Sequence, residues 1–137
     1  MAQEDKNLLL TDLCARLPYG VKCLVPTENL AMELTGKRLN YFCFHKEEWG
    51  TNYCHELEVV LDPLNDFHNQ YIIKPYLRPM PSMTKKEKDV YYDYIYDAQT
   101  DLERAALLID WLNAHHFDYR GLIEKGLALE APEGMYS

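Results

Sequence analysis

The sequence predicts an α+β fold: a small antiparallel β-sheet of about four to five strands packed with an N-terminal helix and two C-terminal helices. Three observations predict it. Leu9, Leu10, Leu13, Cys14 and Leu17 recur at spacings of three and four, which is one helical stripe. The section from Leu30 to Pro75 breaks into short apolar runs of strand length. Thr84-Lys85-Lys86-Glu87 and Thr100-Asp101-Leu102-Glu103 each have the spacing of a capping box, in which a hydroxyl and a carboxylate satisfy each other's backbone amides. With 137 residues, the chain has the size of a single domain.

The first helix should run from about Glu4 to Leu17 and stop at Pro18 and Gly20. Val21, Cys23 and Val25 alternate with Lys22 and Leu24, a first strand halted by Pro26. Leu30 to Leu34 reads as a short strand, Thr35-Gly36-Lys37 as a turn, and Arg38 to His45 as a strand apolar on both sides. Cys54 to Leu61 follows, stopped by Asp62-Pro63, and Tyr71 to Lys74 is a fourth or fifth strand. Pro75, Pro79 and Pro81 predict an extended connector, because each proline pushes the residue before it out of the helical region. In the second helix Met83, Val90, Tyr91, Tyr94, Ile95 and Ala98 should supply the buried side. In the third, Leu102, Ala105, Ala106, Ile109 and Leu112 should do so, widened by Leu108 and Trp111, with an end near His115. Leu122, Ile123, Leu127 and Leu129 of the tail should pack onto the core.

The formal charge of −8 argues against generic nucleic-acid binding, which needs a basic footprint. Lys85, Lys86 and Lys88 form a local patch, but Asp89 and Asp93 on the same helix offset it. Residues 28–75 hold four basic and eight acidic side chains, and residues 101–137 hold three and seven. These two stretches carry the whole excess. No apolar run approaches the roughly 20 residues that span a bilayer, so no membrane partner is expected. Charges from Glu4 to Arg16 rule out a signal-peptide pattern, and the chain is expected to be cytoplasmic, with Cys14, Cys23, Cys43 and Cys54 as free thiols, mostly buried.

No phosphate loop, dinucleotide fingerprint or zinc-protease motif is present, and Ser82 and Ser137 are the only serines. No catalytic residue, cofactor or metal is therefore expected. If a metal were bound, its ligands would come from Cys43-Phe44-His45 with Cys54-His55, or from His116 with Asp118, which are zinc-type donors. Adjacent Cys54 and His55 diverge on a strand, and His115 and His116 diverge on a helix, so neither set converges easily. Arg78 beside Tyr76 and Arg120 beside Tyr119 have the vocabulary of interface anchors, and equally that of structural clamps. Tyr92 and Tyr96 share a face opposite Tyr91 and Tyr94, so one pair should be exposed. Next to Asp93 and Asp97, such a pair suits a protein-binding surface.

Three stretches carry a resemblance. They are Asp12 to Lys22, Lys74 to Thr84, and Asp110-Trp111-Leu112-Asn113 through His115-His116-Phe117-Asp118-Tyr119-Arg120-Gly121-Leu122-Ile123 to Gly126-Leu127-Ala128. Together they resemble a family of small uncharacterised proteins from gut Bacteroidetes and their phages or mobile elements. The match covers the first quarter and the last half of the chain and is least from Thr27 to Gln70. The resemblance implies a bacterial or bacteriophage setting and a cytoplasmic place of action, and it brings no catalytic residue. The expected function is a protein-interaction module, accessory or inhibitory, with an unidentified protein partner. Association with a second copy is left open. The alternative is a small metal-dependent enzyme or metal-binding protein using the His, Cys and Asp residues.

Overall fold

A computed structural model describes residues 3–25, 30–38, 41–47, 54–60, 73–99 and 101–136. Helix α1 spans Gln3–Arg16 and runs into a 3₁₀ turn, Leu17–Tyr19, closed by Gly20 in the left-handed region (φ 67°). A Cβ at Gly20 would lie 3.0 Å from a Glu33 carboxylate oxygen, so both conformation and space favour glycine there. Strands β1 (Lys22–Val25), β2 (Leu30–Arg38), β3 (Tyr41–Glu47) and β4 (Cys54–Val60) form an antiparallel meander. Strand β5 (Lys74–Leu77) returns to the free side of β1, and β6 (Leu129–Glu130) joins β5 in parallel, giving the order β4-β3-β2-β1-β5-β6. Helices α2 (Lys85–Ala98) and α3 (Leu102–Ala114) pair with each other as a hairpin. The α+β class, with one N-terminal and two C-terminal helices, is as the sequence predicts.

The core lies between α1 and the sheet. Leu9 and Leu13, from the predicted stripe, pack with Val21, Cys23, Val25, Met32, Leu34, Phe44, Ile73, Leu77 and Leu122, all essentially without solvent contact. Alternation in β1 places Cys23 and Val25 inward, and burial pushes the Cys23 thiol far up, which keeps it an inert small hydrophobe. Cys14 is exposed on α1, against the expectation of burial. A second, smaller cluster of Met83, Leu112 and Phe117 roots the hairpin, with Tyr91, Leu108 and Trp111 around it.

Four local expectations are corrected. Thr35-Gly36-Lys37 is not a turn: β2 continues through it to Arg38, and the ladder to β3 shifts register between Leu34 and Gly36. Thr35 is the extra residue at this bulge, Gly36 pairing with Cys43, and its hydroxyl donates to the Cys43 carbonyl (3.2 Å) instead of closing a turn. Strand β5 runs on from the expected Tyr71–Lys74 through Lys74–Leu77 and so includes Pro75, while Tyr71 and Ile72 lie outside the described residues. Proline is tolerated there because it is the second residue of β5, and the parallel ladder to β6 starts only at Tyr76. The Thr84 capping box forms as read, its hydroxyl accepting from the Glu87 amide and Glu87 accepting from the Thr84 amide. At α3 the cap is Asp101, which accepts from the Glu103 amide.

The fourth correction concerns which face of α3 is inward. Ala105, Leu108, Trp111 and Leu112 turn in, while Leu102 and Ala106 are exposed and Ile109 is largely so. The aromatic contacts decide it. Tyr91 stacks on Trp111 and Tyr94 tilts against it, with ring centroids 6.5 and 6.1 Å away. That orients α3 by Trp111 rather than by Leu102 and Ile109.

Candidate functional site

Three polar constellations are built where the chain returns to α1 and β5. In the first, Asp12 and Arg16 lie one turn apart on α1 and are both fully buried. Arg16 Nε donates to Asp12 (2.9 Å), Arg16 Nη2 donates to the Phe117 carbonyl (2.6 Å), and Arg120 Nη1 donates to the other Asp12 oxygen (2.7 Å). Both guanidiniums lie over the Tyr119 ring, 5.4 and 4.5 Å from its centroid, and the Tyr119 hydroxyl donates to Asn113 (2.9 Å). A lone buried charge is costly, and here one carboxylate faces two cations. Arg120 is thus a clamp between the tail and α1.

Arg78 is the second clamp. Its guanidinium holds Glu87 in a bidentate pair at 2.7 and 2.8 Å and lies 4.2 Å from the Phe117 ring centroid. The hydrogen bond from Arg78, with the Thr84 amide adding to it, holds the Glu87 carboxyl at about 2, below the ordinary range. The same carboxylate therefore starts α2 and ties it to the end of β5.

The third constellation centres on His116. It follows the C-cap His115 and takes the left-handed conformation (φ 62°) usually left to glycine. The Phe117 amide donates to Leu112 and the His116 amide to Asn113, which is the Schellman closure of α3. A histidine is held there because its ring stacks on Tyr136, centroids 3.8 Å apart. The Tyr136 hydroxyl accepts from the Lys22 amide and donates to the Tyr76 carbonyl, both at 2.8 Å. Burial, and then nearby positive charge, Arg16 foremost, push His116 down to about 4, so it is neutral near pH 7. Its Nδ1 has no hydrogen-bond partner among the described residues.

These placements locate the sequence candidates. Tyr76 contributes its carbonyl to Tyr136, and Arg78, Tyr119 and Arg120 are spent on internal contacts. The Asp118 carboxylate accepts from the Leu122 and Ile123 amides, so it starts the next turn and does not join His116 in a ligand pair. Strands β3 and β4 are neighbours, but Cys43 and His45 stand opposite Glu58 and Glu56, while Cys54 and His55 stand opposite Glu47 and Lys46. The side chains of Cys54 and His55 lie outside the described residues. Among the described residues no three His, Cys, Asp or Glu side chains are grouped to hold a metal ion.

Two open clefts flank the segment Pro132 to Gly134. One, of about 780 Å³, is lined by Lys22, Glu33 and His45; the other, of about 580 Å³, by Arg78, Glu87 and Tyr136. In the second, Arg78 and Glu87 already satisfy each other, and neither His116 nor Arg120 lines it.

The remaining feature is the hairpin surface. No residue of α2 is buried, and only Leu112 and Asn113 of α3 are. Tyr92 is 63 % exposed, Tyr96 78 % and Leu102 90 %; Val90, Leu107 and Ile109 are also exposed. Sequence reasoning placed Tyr92 and Tyr96 outside but Leu102 and Ile109 inside. The available signal was that α3 is apolar on nearly every side, so no single stripe marks its buried face.

No family model, curated protein or solved structure matches the chain. The site must therefore be read from its own chemistry. No helix of the described residues is long and apolar enough to cross a membrane.

Proposed function

We propose that the chain is a protein-interaction module, an accessory or inhibitor protein of a bacteriophage or mobile element of bacteria, acting in the cytoplasm. The α2–α3 hairpin is its working surface. One observation carries this reading: the hairpin turns Tyr92, Tyr96, Leu102, Leu107 and Ile109 outward, although it has an apolar cluster at its root. Large exposed apolar groups concentrated on one element mark interaction surfaces, and tyrosine supplies contact area at small entropic cost. The polar clamps support the same reading from the other side, because Asp12, Arg78, Glu87 and Arg120 are engaged in ion pairs within the molecule. The bacterial or phage setting rests on the resemblance carried by the stretches around Asp12, Lys74 and Asp110.

Affinity capture from bacterial lysate tests the reading. The bait is the wild type beside two variants, Tyr92→Ser/Tyr96→Ser and Leu102→Ser/Ile109→Ser, one on each outer face of the hairpin. The expected result is a protein retained in near-equal amount by the wild type and lost by at least one variant. A wild-type eluate no richer than a blank column would sink the idea.

A further inference from the structure

Leu102, Ala106 and Ile109 recur at i, i+4 and i+7, so they form one stripe along α3. The next position of that row is Asn113, which is buried and accepts from the Tyr119 hydroxyl. The body of the protein thus covers the foot of the stripe and stops, leaving Leu102 at its far end 90 % exposed. At about 100° per residue, Glu103 and Asp110 lie together on one flank of the stripe, and both are exposed. Arg104 is the one cation of α3, and two positions from Ala106 puts it on the far side of the helix. Leu107, also exposed, widens the apolar surface beyond the acidic flank.

We infer that this outer face of α3 seats a basic amphipathic helix presented by another protein. The inference rests on reading the hairpin as an interaction surface, and it adds the chemistry of the partner. An apolar stripe one helix wide takes the apolar face of a second helix, with anchors at the same i, i+3 or i+4, i+7 spacing. The acidic flank then requires Lys or Arg beside those anchors, since opposite charge at the rim selects the partner and speeds its arrival. The excess of seven acidic over three basic side chains in residues 101–137 acts in the same sense. The same face of a second copy fits less well. An α3-to-α3 contact brings no cation to this flank, because Arg104 lies on the far side of the helix, and antiparallel pairing would set Glu103 and Asp110 against their own kind.

The test is a calorimetric titration of the full chain with two synthetic helical peptides of about 18 residues. They share one leucine stripe, and one is flanked by lysine, the other by glutamate. The lysine peptide should bind at one per chain, about tenfold or more tighter than its glutamate twin. Leu102→Ser/Ile109→Ser keeps every charge and should weaken the lysine peptide by about tenfold or more, with circular dichroism and melting unchanged. Glu103→Gln/Asp110→Asn should weaken it too and flatten its salt dependence. Equal binding of both peptides, or lysine-peptide binding indifferent to Leu102→Ser/Ile109→Ser, overturns the inference. So does a wild-type dimer in ultracentrifugation that the same substitutions dissociate, which would give the face to a second copy. If neither peptide binds but lysate capture still depends on the hairpin, the partner chemistry is wrong and the interaction reading stands. If capture fails as well, both fall.

Discussion

The body of the molecule and its hairpin spend apolar residues in opposite ways. Between α1 and the sheet, eleven of the core side chains, from Leu9 to Leu122, have no more than a trace of solvent contact. In α2 no residue reaches that state, although seven of its fourteen residues are Val, Tyr, Ile or Ala. The polar groups reverse the pattern. The body buries charge, with Asp12 and Arg16 fully enclosed, whereas the exposed charges of α2 and α3 lie beside exposed rings and leucines. Burial of charge without partners is costly, so the body is specified by a small number of matched pairs. The hairpin is specified by its caps and by Trp111, and the rest of its surface is left unspent.

That contrast can be broken from the body first. Asp12→Ala would leave Arg16 enclosed without its carboxylate and release Arg120. Denaturant unfolding should show a loss of about 3–5 kcal/mol, the range for removing one partner of a buried pair. Tyr136→Phe keeps the stack on His116 but leaves the Lys22 amide and the Tyr76 carbonyl without the hydroxyl; a loss of about 1–3 kcal/mol is expected in the same assay.

Acid should expose a third difference. His116 is neutral in the folded chain and takes a proton more readily when unfolded. Stability should therefore fall as pH drops from about 6.5, the ordinary histidine value, to about 4, at no more than about 1.4 kcal/mol per pH unit. Glu87 acts lower on the scale. Its folded value is depressed, so its contribution is present above about 4.5 and is lost toward about 2. His116→Asn suits the left-handed backbone and should remove the upper window while leaving the lower one, as read by unfolding at several pH values. The smallest expected effect belongs to the hairpin. Tyr96→Ser or Leu102→Ser should change folding stability by less than about 0.5 kcal/mol, because both side chains already stand in solvent.

How far the fold could be read from the sequence follows the same division. Elements announced by local chemistry were legible: the stripe of α1, the Thr84 box, and the alternation of Val21, Cys23 and Val25. Features set by distant contacts were not. Gly36 carries a turn signal, and only pairing with β3 shows a bulge beside it. Pro75 argues against a strand, and only its pairing with Cys23 of β1, about fifty residues back, puts it in the sheet. Nothing local marks Asp12 and Arg16 as buried; the return of Phe117 to Arg120 encloses them. In α3 two faces are about equally apolar, so periodicity could not choose between them, and the rings on α2 did. The candidate surface was half legible for that reason: Tyr92 and Tyr96 were visible as an outward pair, and Leu102 with Ile109 was not.

Tyr136 joins positions 114 and 60 residues upstream through one hydroxyl. During synthesis the α1–β1 region and the β5 region leave the ribosome long before that ring exists. The stack that holds His116 in its left-handed backbone forms only once Tyr136 has been made. The closure of α3 thus depends on a residue made after every element it joins, β1, β5 and α3 alike, so the hairpin rooted on that closure gains its support late.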